Sequence, residues 1–170
     1  VPLIVPETGS GADPLANSYV SLSAADSYFQ DRGITEWGVE VTAIREGSLL
    51  YAARWLDHAY NWQASIKDFD QPMAWPRFGV LDQERRLIEN NEIPTPIKDA
   101  QCELAFEHLK VAALNRVDDL GGPVESVRVG TLAVAFREFQ PGDRTRAYVD
   151  LLVRGYTEYP SGSAVAILRG

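Results

Sequence analysis

Two histidines and one cysteine set the outer limit of what chemistry this chain can do. His58 follows Asp57, and His108 follows Glu107. Consecutive residues on a helix do not face each other, so neither pair forms an acid–base dyad. Zinc needs convergent His, Cys or carboxylate ligands at short, regular spacings, and the sequence offers none. Asp68 with Asp70, and Asp118 with Asp119, are the closest carboxylate pairs for general acid–base work. Both fall in polar loop or helix-end surroundings, where solvated turn residues are the expected role. Cys102 lacks a His or basic neighbour to stabilise a thiolate, which predicts a packing residue. Gly9-Ser10-Gly11 has no preceding strand, third glycine or following Lys-Ser/Thr, so neither phosphate-loop pattern applies. Gly47-Ser48 is not a nucleophile elbow. The expectation is a protein that is not an enzyme and holds no metal or cofactor.

Aromatic residues are the remaining candidates. Trp37, Trp55, Trp62 and Trp75, with seven tyrosines, could stack on single-stranded bases. That use calls for interleaved Lys and Arg, yet Arg85-Arg86 is the only basic pair along the residues 1–123 that carry these tryptophans. Net charge is −8. Neutralising phosphates needs clustered cations, so the balance argues against non-specific nucleic-acid binding. Core packing is the expected role for most of the rings. Charge is uneven along the chain: residues 1–123 carry 10 basic and 19 acidic side chains, residues 124–170 carry 6 and 5.

With 170 residues, 45% of them hydrophobic, the chain can fill one core. No apolar run approaches the ~20 residues of a membrane span. Val1-Pro2-Leu3-Ile4-Val5-Pro6 is too short and proline-rich for a signal peptide, which with the lone cysteine predicts a reducing cytoplasm. Residues 1–22 read as an extended lead. Ser23 is the expected cap of a helix over 24–32 that ends at Gly33, with Asp26 as capping-box partner and Tyr28 and Phe29 inward. Ile44, Ser48, Tyr51, Ala52, Trp55, Leu56, Ala59 and Trp62 recur at three- and four-residue steps, predicting a helix from Thr42 to Trp62.

Residues 63–95 form a long connection with a short helical turn expected at 82–88. Trp75 is placed to pin it to the core. Thr95 then caps a third helix with Pro96 at its first position, and Ile97, Ala100, Leu104, Ala105, Leu109, Ala112 and Ala113 line one face. Val127 and Val129 alternate with polar residues, and Leu132, Val134 and Phe136 alternate in the other parity. A parity flip at Gly130 predicts a bulge or bend. Pro141-Gly142-Asp143 reads as a turn before a last helix capped by Thr145. The fold class expected is mainly α: a small helical bundle with a short β segment and an extended C-terminal arm. Its divisions are the lead at 1–22, a helical body at 23–123, the β segment and last helix at 124–155, and a docking arm at 156–170. The core is built on Tyr28, Tyr51, Trp55, Leu56, Trp75 and Leu104.

Five blocks in register give the chain a likeness. They are Asn17-Ser18-Tyr19-Val20-Ser21 leading to Ala25-Asp26-x-Tyr28 and Arg32-Gly33; Ala52-Ala53-Arg54-Trp55-Leu56-Asp57; Gln71-x-x-Ala74-Trp75-Pro76-Arg77; Ile93-Pro94 through Glu103-Leu104-Ala105; and Val127-x-Val129-Gly130. Over roughly residues 2–136 this pattern resembles the head–tail connector (adaptor) proteins of tailed bacteriophages. Similar chains also carry the label of DnaT-like single-stranded-DNA-binding proteins, which makes a replication accessory protein the competing reading. Gln63-Ala64-Ser65 departs from the glycine and basic residue that similar chains often have there.

The resemblance implies a ring, commonly of twelve copies, under the portal, extending the DNA channel and docking the tail. Its implied partners are the portal protein, a tail-side neck or terminator protein, further copies of itself, and double-stranded DNA that passes without sequence-specific binding; no membrane is involved. Its implied location is the virion head–tail junction, and the host cytoplasm during assembly. Tyr156, Tyr159, Ile167, Leu168 and Arg169 are the residues expected to anchor the arm to the portal.

Overall fold

The computed structural model describes residues 3–117, 126–129, 132–135 and 143–158. Its helices are α1 (Leu22–Asp31), α2 (Glu36–Val39), α3 (Thr42–Ala59), α4 (Thr95–Val117) and α5 (Asp143–Val153). Short strands β1 (Ser65–Ile66) and β2 (Arg77–Phe78) pair antiparallel, as do β3 (Ser126–Val129) and β4 (Leu132–Ala135). The architecture is the mainly helical one expected. α4 lies against both α3 and α5, and one continuous core joins them.

α1 begins two residues earlier than its sequence suggests. Ser21, not Ser23, is the N-cap, its Oγ accepting from the Ala24 N–H at 3.1 Å. Asp26 is not a capping partner at all; it accepts from Trp37 Nε1 at 2.7 Å and from Arg45 Nη1 at 2.6 Å. Gly33 ends the helix in the left-handed region, φ 69°. α3 ends at Ala59 rather than Trp62, because Tyr60 is extended and Trp62 forms an antiparallel bridge with Thr157. α4 starts at Thr95, with the Pro94 carbonyl accepting from Ile97 and Lys98. Ile97, Ala100, Leu104, Ala105 and Leu109 are all buried; the side chains of Ala112 and Ala113 lie outside the described residues.

The N-terminal segment is not a free lead. Pro6 bridges Ser18, Asn17 N–H donates to Val5 O at 2.9 Å, and Ile4, Ser18, Tyr19 and Val20 are buried. Gln101, fully buried on α4, holds it. Its Oε1 accepts the Tyr19 N–H at 2.8 Å, and its Nε2 donates to Ser18 Oγ at 2.7 Å and Leu49 O at 2.9 Å. One amide thus satisfies polar groups of the N-terminal segment and α3 where water is excluded. Gly9, at φ 97°, passes so close to the Asn91 carbonyl that a Cβ would stand 1.8 Å from its oxygen.

Residues 82–88 form no helical turn. The Asp82 carboxylate accepts from the Glu84 and Arg86 N–H groups and from Arg86 Nε, each at 2.8 Å, and Leu81 bridges Leu87. An aspartate that captures nearby backbone donors competes with helix formation. Near the C-terminus, Val127 pairs with Val134 and Val129 with Leu132. The two parities therefore belong to two antiparallel strands; Gly130, where a bulge or bend is expected, lies outside the described residues. Asp143 is the first residue of α5 rather than part of a preceding turn, which puts Thr145 inside the helix.

Candidate docking surface

α3 buries Ser48, Leu49, Ala52, Ala53 and Leu56. Tyr51, Arg54, Trp55 and His58 therefore fall on its outer flank, at the three- and four-residue spacings that stack side chains along one helix face. Tyr51 is 49% exposed, which corrects its expected place in the core. The sequence stripe was wide enough to include it, but the helix turns the 48/52/56 and 49/53 rows inward and leaves Tyr51 one step outside. There it stacks on His108 of α4, ring centroids 4.1 Å apart at 21°. His108 Nδ1 shares a hydrogen bond with Ser48 Oγ at 3.2 Å, and partial burial lowers its pKa. Trp55 is partly buried at the core's edge and meets Tyr60 edge-on at 5.8 Å. Tyr60 Oη donates to Asp150 of α5; burial and that carboxylate raise the phenol's pKa.

The stripe is short of charge. Arg54 is its one permanent cation, and exposed His58 donates from Nδ1 to the Arg54 carbonyl at 2.7 Å. Asp57, between them in sequence, turns inward. It accepts from Tyr19 Oη and from the Ala74 N–H (3.2 Å), and burial raises its pKa.

Behind this surface sits the knot built by Met73 through Phe78. Trp75 is fully buried between Trp62 (5.7 Å) and Tyr156 (6.0 Å), both edge-on, across a cis Trp75–Pro76 bond. Among the described residues Arg77 pairs with no carboxylate at ion-pair distance. Its guanidinium instead donates to four carbonyls: Gln63 at 2.7 Å, Ala64 at 2.7 Å, Ala74 at 3.0 Å and Trp62 at 3.4 Å. Burial lowers its pKa, yet a guanidinium stays charged in proteins.

Tyr28, Leu56, Trp75 and Leu104 are buried. Tyr156, expected to begin a docking arm, is instead buried at 8% exposure, and its carbonyl accepts the Gln63 N–H at 2.9 Å. The adjoining Glu158 N–H donates to Asn61 O at 2.7 Å, so residues 156–158 belong to the body. Tyr159, Ile167, Leu168 and Arg169 lie outside the described residues. Arg77, Gln101 and the Tyr19–Asp57 pair went unrecognised as fixing residues; the Trp-Pro-Arg run was the visible signal for the first.

Among the described residues no three His, Cys, Asp or Glu side chains gather to hold a metal ion, and no helix is long and apolar enough to cross a membrane. Cys102 is buried, which pushes its thiol up to about 12.

The model of the family described as "Putative DnaT-like ssDNA binding protein" matches residues 1–170. The chain belongs to this family. No curated protein and no solved structure matches it. In this DnaT-like chain the Asn17–Ser21 and Met73–Phe78 blocks fix backbone, while Tyr51, Arg54 and His58 of the α3 stripe stay exposed.

Proposed function

We propose that the protein is a structural docking subunit, a phage head–tail connector that assembles as a ring under the portal, extends the DNA channel and docks the tail. What carries the reading is a stripe that is aromatic with a single permanent cation, on a chain of net charge −8. Aromatic anchors with one polar end suit a protein interface. A groove that tracks nucleic acid needs several phosphate-neutralising cations; Arg54 alone would give a salt slope of only about −0.7 on a single strand. An acidic body also suits a passage through which DNA slides without sticking. The partners of this reading are the portal, a tail-side neck or terminator protein and further copies of the chain. No catalysis and no cofactor enter it.

Co-sedimentation with portal rings tests it, followed by electron microscopy of the pellet. Extra ring density below the portal is the expected result. Deletion of residues 159–170 should abolish binding with helicity intact; a deletion starting at Tyr156 would remove a core residue and confuse the two effects.

Family membership and the exposure of Tyr51 favour a second reading, a single-stranded-DNA-binding accessory protein of phage replication. Base–aromatic stacking contributes about 1–3 kcal/mol per base, so such binding would be weak and shallow in its salt dependence. Anisotropy of labelled oligo-dT separates the readings. Saturable binding lost in Tyr51→Ala would favour the second.

A further inference from the structure

At the opposite end of α3 from Tyr60 lies a cavity of about 380 Å3 that the docking stripe does not use. Half-buried Ile34 forms the accessible part of its apolar side, over Phe29 and Trp37, which the fold already covers, and Asp26, Thr35 and Arg45 form its polar side. The polar side is already ordered: Asp26 accepts from both Trp37 and Arg45. Beside the lining Gly38, Val39 and Val41 stand 81% and 62% exposed. Asp31, Arg32 and Glu36, all exposed, flank the lining residues in sequence, two carboxylates to one guanidinium. The site is therefore an apolar slot with an acidic lip, at the small end of the ~300–1,000 Å3 typical of ligand pockets, sized for a few side chains.

We propose that this slot receives Ala164–Leu168 of a neighbouring copy of this chain, with Arg169 against the acidic lip. Three observations select that occupant. After Glu158 the sequence continues through Ala164-Val165-Ala166-Ile167-Leu168, five consecutive apolar residues, and then Arg169. The slot and the segment are complementary in polarity and in charge. The last described residue, Glu158, is bonded to Asn61 just past the C-terminal end of α3, whereas the slot is at Arg45 near its start.

Reach favours a neighbour over the own copy. Fourteen helical rises separate Arg45 from Ala59, about 21 Å. Eight residues from Glu158 to Ala166 span at most about 26–29 Å. Within one copy the segment would have to run taut around a helix ~10–12 Å across. A neighbouring copy imposes no such tension. The contact is heterologous, head to tail, the kind that closes into rings or runs on as filaments. The inference deepens the ring reading above and rests on it only for closure.

Mixed disulfide trapping tests it on the full chain, without portal. A Val39→Cys chain carrying a mass tag is mixed with a Leu168→Cys chain and mildly oxidised; buried Cys102 is shielded from competing. A tagged–untagged heterodimer is the expected product. A link that forms only inside a doubly substituted chain overturns the assignment to a neighbour, and absence of any link assigns the slot to some other partner and overturns it too. In sedimentation velocity, Val39→Asp at an exposed rim position should weaken self-association by at least roughly tenfold, since a charge would enter an apolar contact. Ile167→Asp with Leu168→Asp should do the same; unchanged sedimentation in both refutes the proposal. Deleting residues 159–170 removes the segment that either contact would use and so does not separate them; neither assay here contains portal, so the contact between copies can fail while the connector reading stands, and the reverse.

Discussion

Arg77→Ala removes a guanidinium from four carbonyls. Hydrogen bonds to a charged group contribute about 1.5–3 kcal/mol each, and a buried acceptor left unmatched costs about 1–3 kcal/mol. The two 2.7 Å contacts, to Gln63 and Ala64, carry most of this; those at 3.0 and 3.4 Å add less. Partial access of water to the Gln63, Ala64 and Ala74 contacts trims the sum, leaving an expected loss of about 4 kcal/mol. With a urea slope of about 2 kcal/mol/M, the midpoint should fall by about 2 M. Arg77→Lys should recover little, because one ammonium cannot span carbonyls on both sides of the knot. Near-UV circular dichroism should follow the same midpoint, since Trp62 and Trp75 frame the knot. A shift below about 0.5 M for Arg77→Ala would show that the carbonyls find other donors, and would refute the idea that this side chain fixes the loop.

Other expectations follow from single contacts. Gly9→Ala forces a left-handed φ and a backbone clash, and should cost at least about 2 kcal/mol, or roughly 4–8 °C in melting temperature; an unchanged melt would contradict the close approach to Asn91. Tyr156→Ala should destabilise by about 3 kcal/mol, in the range for emptying a buried aromatic site, whereas a freely projecting Tyr156 would give almost nothing in a denaturant titration. His108 should titrate below the ordinary histidine value in NMR, and His58 can serve as the second histidine signal in the same spectra. Because the folded form holds the lower pKa, stability present above pH ~6.5 should be lost as pH falls through the folded pKa. Replacing His108 with Asn should flatten that slope, and a steeper slope would reverse the sign of the argument.

Local chemistry was the legible part of this fold. Pro94-Thr95-Pro96 marked the start of α4, Gly33 the end of α1, and the apolar spacing from Ile97 to Leu109 its buried face. Trp75 was recognisable as a pin because a tryptophan in a long polar connection has few other uses. What escaped depended on partners distant in sequence. The N-terminal segment reads as a lead until Gln101, 82 residues from Tyr19, is seen to satisfy it. Asp26 looks like a capping residue because its true partners, Trp37 and Arg45, lie 11 and 19 residues away. The end of α3 depends on Thr157. Tyr51 misled for a different reason: periodicity finds a stripe, but the width of that stripe is set by the neighbouring helix. The candidate docking surface was therefore invisible until α4 placed His108 against it.

The central claim, docking to protein rather than binding a strand, meets its most direct test in one tube. Portal rings and labelled oligo-dT are offered together at moderate salt, the rings are sedimented, and the protein and the label are followed separately. The account expects the protein in the pellet with the portal and the oligonucleotide in the supernatant. Protein left in the supernatant with the oligonucleotide bound to it would contradict the account and make the single-stranded-DNA reading the correct one.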